Sequence, residues 1–246
     1  MTAPVPTMAG NPCIGMVTPY DFALDRELWR WVPDTLDLLL TRTPYEPLAV
    51  TVEMALRVGD PAVVAEATLA LTTPAPAVVG YACTSGSFVA GPAGEQALVD
   101  AMLATGVPAA VTTSGAVVSA LRALGAARVA VATPYDEEIT ALLVAFLAEA
   151  GIAVTRADHL GLDSAIWAVP REVTRELVRR AWTDDCDAVF VSCTNLATYD
   201  VIPGLEQELG VPVVSANQAT MWAAVSLAGL TAQGDGQRLL QEVYRP

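Results

Sequence analysis

Pro76-Ala77-Val78-Val79-Gly80-Tyr81-Ala82-Cys83-Thr84-Ser85-Gly86-Ser87-Phe88 changes character at its middle. The first half, Pro76 to Tyr81, is short, apolar and uncharged, and reads as a buried strand. From Cys83 the chain is small and hydroxyl-rich, which reads as a tight loop, with the next helix starting near Gly94. In an open α/β sheet, ligands are held at the carboxyl ends of the strands. A thiol at such an end, ringed by hydroxyls and free backbone N–H groups, is a candidate reactive group. Val191-Ser192-Cys193-Thr194-Asn195 presents the same arrangement a second time.

Working outward, the first half of the chain reads as alternating strands and helices. Cys13 to Val17 is a strand running into Thr18-Pro19-Tyr20-Asp21, followed by helical periodicity from Asp25 to about Leu40. Leu48 to Met54 is strand-like, Asp60-Pro61 opens a helix to about Leu71, and the strand to Cys83 follows. A helix to Thr105, the strand Val107 to Val111 and a helix to Leu124 complete it. The second half replays this order. Strands are predicted at Arg128–Ala132, Ile152–Ala157, Asp187–Ser192 and Val211–Val214. Helices are predicted up to Ala150, over Pro170–Trp182, Ile202–Leu209 and Ser215–Leu227, with a last one over Asp235–Tyr244.

Three landmarks recur in order at strand ends. Thr18-Pro19-Tyr20-Asp21 matches Thr133-Pro134-Tyr135-Asp136, Cys83-Thr84-Ser85 matches Cys193-Thr194-Asn195, and Val107-Pro108 matches Val211-Pro212, at offsets of 115, 110 and 104 residues. The predicted fold is therefore α/β and duplicated. Two pseudosymmetric lobes are expected, each a four-stranded parallel sheet flanked by helices, a flavodoxin-like unit. Residues 13–113 with 216–246 form lobe one, residues 114–215 form lobe two, and residues 1–12 are a Pro-rich flexible tail.

Composition narrows the function classes. The chain has 246 residues, is 53% hydrophobic and carries a net charge of −14. No basic patch could neutralise a nucleic-acid backbone. No apolar stretch reaches the roughly 20 residues of a membrane span, and the N-terminus lacks the basic and apolar regions of a signal peptide. A cytoplasmic protein is expected, and the apolar composition leaves room for a homo-oligomer. All thirteen basic residues are arginine, and the single histidine is His159. Without lysine there is no pyridoxal-phosphate Schiff base and no P-loop. The four cysteines, Cys13, Cys83, Cys186 and Cys193, show no zinc-ligand spacing. Cys13 and Cys186 read as small partly buried residues, and His159 as a structural or solvent-facing one.

If the carboxyl ends of both sheets face one cleft, Cys83 and Cys193 approach a ligand from opposite sides. Thr18, Pro19, Tyr20, Thr84, Ser85, Thr113, Ser114, Tyr135, Thr194 and Asn195 are candidate substrate-binding residues. They would hold a carboxylate with hydroxyls and loop N–H groups, without a cationic side chain. Two thiols flanking one carbon, about 6–9 Å apart, suit inversion: one takes a proton as thiolate and the other delivers one to the opposite face. Loop N–H groups are expected to lower the acting thiol's pKa from its ordinary value of about 8.5.

These residues resemble the aspartate/glutamate racemase superfamily, nearer its branch of maleate cis-trans isomerases and arylmalonate decarboxylases. The likeness is sharpest at Ala82–Phe88, Leu121–Gly125, Val131–Tyr135, Ser192-Cys193 and Gly210–Ser215. It implies an enzyme without metal or cofactor, with its active site between two α/β lobes. It places the catalytic positions on Cys83 and Cys193, a carboxylate contact on Tyr135 and the carboxylate-holding loop on Thr84 and Ser85. Arylmalonate decarboxylases typically have glycine where Cys83 stands. Keeping that cysteine makes the chain look like an isomerase, acting by maleate-like cis-trans isomerisation or by racemisation beside a carboxylate. A malonate-type decarboxylase is the alternative, and a non-catalytic carboxylate-binding protein a further one. Phe22 and Trp167 stand near positions that are usually polar in maleate isomerases, which implies an apolar or bulkier substrate substituent.

Overall fold

The computed structural model describes residues 11–245, so the predicted tail lies almost wholly outside the described residues. Two four-stranded parallel sheets are built in chain order. The first holds β1 (Cys13–Thr18), β2 (Asp37–Arg42), β3 (Val78–Tyr81) and β4 (Ala110–Thr112). The second holds β5 (Arg128–Thr133), β6 (Ala153–His159), β7 (Ala188–Val191) and β8 (Val213–Ser215). Their spatial orders are β2-β1-β3-β4 and β6-β5-β7-β8, the same order twice. The duplication read from the strand-end landmarks is thus a duplication of topology.

Strands β1, β3, β7 and the inner part of β5 are buried throughout, because helices cover both faces of a parallel sheet. Ile14, Met16, Val78, Val79, Val129, Val131, Val189 and Phe190 fill the interior. The crossovers are short helices. In lobe one these are α1 (Asp25–Leu28), α2 (Val52–Val58), α3 (Pro61–Leu69), α4 (Thr84–Phe88) and α5 (Gly91–Ala104). Then come α6 (Thr113–Ala123), α7 (Glu137–Glu149), α8 (Arg171–Ala181), α9 (Ile202–Leu209) and α10 (Ala216–Leu227).

Helices α6 and α10 follow the equivalent strands β4 and β8, and each is capped by the last residue of its strand. The Thr112 hydroxyl accepts from the Gly115 N–H at 3.0 Å, and Ser215 forms a reciprocal capping box with Gln218. The two helices pack along one another, and the Thr113 and Thr220 hydroxyls meet at 2.8 Å. α10 also reaches back to β3 and β4.

Four predicted elements differ. The stretch after Cys83, predicted as a tight loop before a helix near Gly94, is the short helix α4, and α5 already begins at Gly91. The periodic stretch from Asp25 gives only α1 and a 3₁₀ turn, Trp29–Trp31, before Pro33; the leucines beyond it form β2, paired to β1 along its full length. Leu48 to Met54 is not a strand. Its middle is a loop held to lobe two by the Val50 N–H, which donates to the Asp163 carbonyl at 2.7 Å, and its end is α2, capped by Thr51. The last predicted helix is reduced to a 3₁₀ turn, Arg238–Gln241. There the buried Gln237 accepts from Trp31 Nε1 and Gln218 Nε2, both at 2.9 Å, and these tertiary bonds override local helix formation. His159 is exposed at the end of the edge strand β6.

Candidate active site

The two central strands of each sheet, β1 with β3 and β5 with β7, are neighbours whose crossovers leave in opposite directions, the point at which open α/β sheets hold ligands. Their carboxyl ends deliver Pro19 and Asp21, Cys83, Tyr135 and Cys193. Equivalent backbone bonds fix both cysteine-bearing turns: the Ala82 N–H donates to the Val17 carbonyl and the Ser192 N–H to the Ala132 carbonyl, each at 2.8 Å. The turns converge on one cavity of about 20 Å³, lined by both cysteines together with Thr84, Ser85, Tyr135, Thr194 and Asn195. That volume is the room of about one water molecule. Pro19, Asp21, Val50, Met54 and Ile166 complete the wall.

Cys83 is the residue before α4, whose first turn carries Thr84 and Ser85. Its sulfur lies against the Tyr81 hydroxyl, the Gly86 N–H and the Ser85 side chain. Gly86 has to be glycine: a Cβ there would overlap the Tyr81 hydroxyl and come within 3.1 Å of Cys83 Sγ. The Tyr81 hydroxyl is itself fixed by donating to the Val58 carbonyl at 2.7 Å. Cys193 has no helix behind it. Its backbone sits at φ +89°, a left-handed conformation that costs a residue with a Cβ about 1–2 kcal/mol. Strain of this kind persists where the surroundings impose it, commonly at functional sites. The Asn195 N–H donates to Cys193 Sγ at 3.4 Å.

Burial dominates the electrostatics of both thiols. It pushes Cys83 up to about 11 and Cys193 up to about 12, against the lowering effect of Tyr81 and Gly86 on one and of Tyr135 and Asn195 on the other. Asp21 adds to the rise at both sulfurs. This corrects the expectation that loop N–H groups lower a thiol's pKa here: those groups are present, but desolvation outweighs them.

Around the sulfurs several polar atoms are buried without a hydrogen-bond partner among the described residues, namely Thr84 Oγ1, the Tyr135 hydroxyl and Asp21 Oδ1. The Tyr135 ring is held edge-on to Phe88 of α4, with centroids 6.4 Å apart, so lobe one positions a side chain of lobe two. Asn195 ties the lobes together at the other wall. Its Oδ1 accepts from the Ala23 N–H at 3.0 Å, and its Nδ2 donates to the Asp21 carbonyl at 3.2 Å.

Four candidates do not line the cavity. The Thr18 hydroxyl donates to the Thr41 carbonyl at 3.1 Å, and Tyr20 donates to the Leu48 carbonyl at 3.1 Å. Thr113 is bonded to Tyr81 and Thr220, while Ser114 meets the Ser87 hydroxyl at 2.6 Å and donates to the Thr84 carbonyl at 3.3 Å. They support the strand ends and the turn behind Cys83. The pair Tyr20 and Tyr135 is therefore equivalent in sequence only. Asp21, Val50, Met54 and Ile166 were not among the candidates. Asp21 stands inside a quoted motif, whereas the three apolar residues carry no signal that separates them from core. Phe22 is buried in the core and Trp167 is 52% exposed, and neither touches the cavity. No group of three or more His, Cys, Asp or Glu side chains could hold a metal ion among the described residues.

A family model described as arylmalonate decarboxylase matches residues 58–240. Arylmalonate decarboxylase of Bordetella bronchiseptica is 45% identical over 159 residues, 62% of this chain; the chain spans 65% of that relative, just under two thirds. Maleate isomerase of Nocardia farcinica is 32% identical over 185 residues, 71% of this chain and 73% of the relative. A crystal structure of a liganded arylmalonate decarboxylase variant, with glycine changed to cysteine and cysteine to serine, superposes with a TM-score of 0.85 at 37% identity, covering 93% of this chain and 98% of that one. The chain belongs to the arylmalonate decarboxylase family, on the branch that also holds the maleate isomerases within the aspartate/glutamate racemase superfamily.

Proposed function

We propose that this chain is a cofactor-independent isomerase that works with two cysteines at a carbon beside a carboxylate, needing neither metal nor organic cofactor. The observation that carries the reading is that Cys83 and Cys193, one from each lobe, line the same cavity. In the racemising form, one sulfur as thiolate removes the α-proton of the bound acid, leaving a carbanion delocalised into the carboxylate. The other thiol delivers its proton to the opposite face, so the two sulfurs end with exchanged protonation states. Thr84, Ser85 and Tyr135 are the groups placed to hold the carboxylate as charge develops on it. In the cis-trans form, a thiolate adds to the alkene of a maleate-like acid, the new single bond rotates, and elimination restores the thiolate. The soluble acid is the only partner this chemistry requires.

A malonate-type decarboxylase is the second reading, favoured by the 45% identity to an arylmalonate decarboxylase. It needs only one proton donor. The two are separated by following candidate acids by proton NMR in D2O with the parent, Cys83→Ser and Cys193→Ser proteins. The isomerase reading expects α-deuterated product or cis-trans conversion, with turnover reduced at least about 100-fold by either substitution. Carbon dioxide release that survives Cys83→Ser and disappears with Cys193→Ser would overturn it in favour of decarboxylation.

A further inference from the structure

The cavity is chemically lopsided. Thr84 Oγ1 is buried, unpartnered among the described residues and able to donate, and the Tyr135 hydroxyl, buried against the Cys193 sulfur, has no oxygen or nitrogen partner there and can donate too. Asp21 Oδ1 is equally buried and unpartnered, and an ionised carboxylate oxygen can only accept. Its orientation is set by Asn195. Because Asn195 Oδ1 takes the Ala23 N–H at 3.0 Å, its Nδ2 must face Asp21, where it donates to Oδ2 at 3.3 Å and to the backbone carbonyl at 3.2 Å. Asp21 Oδ2 is thereby occupied, and Oδ1 is the unpartnered oxygen of a residue that lines the cavity. No arginine pairs with Asp21 among the described residues; burial holds its pKa above the ordinary carboxylate value, and only its own backbone N–H and the Asn195 amide favour the charged form.

A buried carboxyl oxygen in this position is destabilising until a donor reaches it. A second carboxylate on the ligand cannot supply one and would be repelled. An N–H or O–H group can. We propose that Asp21 is a specificity-determining residue that selects monocarboxylic acids bearing a hydrogen-bond donor on the reacting carbon and disfavours dicarboxylates. In this arrangement the hydroxyl end of the cavity takes the ligand's carboxylate, and Asp21 takes the N–H or O–H on the neighbouring substituent. Val50, Met54 and Ile166 remain for an apolar group. The inference rests on the carboxylate-binding half of the proposed function and does not depend on turnover; within that function it favours the racemising form, because a maleate-like acid or a malonate carries a second carboxylate.

The test is a binding measurement by calorimetry on three acids that share a phenylacetate core and differ in one substituent: hydroxyl (mandelate), methyl (2-phenylpropanoate) and carboxylate (phenylmalonate). The parent protein is expected to bind mandelate about tenfold or more tightly than either of the others. Asp21→Asn gives the sharper readout. The Asn195 amide still requires an acceptor at the Oδ2 position, so the new amide nitrogen is turned into the cavity where Oδ1 was. An acceptor becomes a donor, and the preference should reverse toward phenylmalonate by about tenfold. Asp21→Ala should erase the preference between mandelate and 2-phenylpropanoate, and thermal denaturation of each unliganded variant establishes that it is folded. Equal binding of mandelate and phenylmalonate by the parent, or an unchanged ratio in folded Asp21→Asn, would overturn the proposal. If no acid is turned over while the binding ratios behave as stated, the isomerase reading fails and this one stands.

Discussion

Taking a thiol out of water removes the solvent that would stabilise its anion, and at this site that loss is larger than any local compensation. With Cys83 near 11 and Cys193 near 12, only about one molecule in ten thousand holds a Cys83 thiolate at neutral pH. Both residues rest as thiols, a state suited to proton delivery, and the base has to be generated. If a thiolate is the base, kcat/KM should climb about tenfold per pH unit between pH 7 and 9, measured as a pH–rate profile; a flat profile over that range would exclude a buried thiolate as the limiting base. At this scale the sequence was informative where residue type and position coincide. Cys83, Cys193, Thr84 and Tyr135 announce themselves as reactive or polar groups at strand ends. Asp21 shares a quoted motif with them without standing out, because its role depends on which carboxylate oxygen Asn195 engages. A third Thr-Pro-Tyr run, Thr43-Pro44-Tyr45, follows β2, and its tyrosine stacks edge-on against Tyr20 at 5.4 Å. Such runs mark strand exits in general, which is why the Tyr20 position carried less meaning than its likeness to Tyr135 suggested.

Among the elements, the short helix α1 does more than its four residues suggest. Its Glu27 is buried and accepts from the Thr198 N–H at 3.0 Å, the Thr198 hydroxyl at 3.1 Å and Asn217 Nδ2 at 3.3 Å, so it joins α1 to the loop after Cys193 and to the start of α10. Removing the carboxylate leaves the buried Thr198 N–H unmet, while Asn217 Nδ2 keeps the Thr194 carbonyl and the Thr198 hydroxyl keeps Ser215. Glu27→Ala should lower stability by about 1–3 kcal/mol in a denaturant titration. Burial raises the Glu27 pKa above its ordinary 4.5, so the folded protein binds this proton more tightly than the unfolded chain. The contribution of Glu27 is therefore greatest below 4.5 and falls as pH rises through the folded-state value. Glu27→Gln, which cannot titrate, should consequently compare better with the parent at pH 7 than at pH 4. Elements were legible where apolar runs were long or capped, as in β1, β5, α7 and α8. The stretch from Asp25 to Leu40 reads as one helix because Leu-rich runs suit helix and strand alike; pairing with β1 decides the matter, and pairing is not a local property.

The molecule as a whole is two copies of one topology closed on each other, and the likeness of the copies was readable because landmarks at strand ends survive in order. What was not readable is how tightly the lobes close. The Val50 N–H reaches across to the Asp163 carbonyl at 2.7 Å, directly beside a cavity of about 20 Å³. A carboxylic acid needs more room than that, which makes this clasp the expected point of opening. Val50→Pro removes the donor and should speed ligand association several-fold in stopped-flow measurements, with about 1 kcal/mol lost from stability; an unchanged association rate would place the opening elsewhere. The small volume has one more consequence. If the clasp recloses over a bound acid, the racemising form of the reaction has no bulk solvent to draw on, and the hydrogen that reaches the product is the one stored on a sulfur before closure. The protein would carry a memory of its last opening, with isotopic exchange confined to the interval between one substrate's departure and the next one's arrival, and unconverted substrate leaving with its own hydrogen still in place.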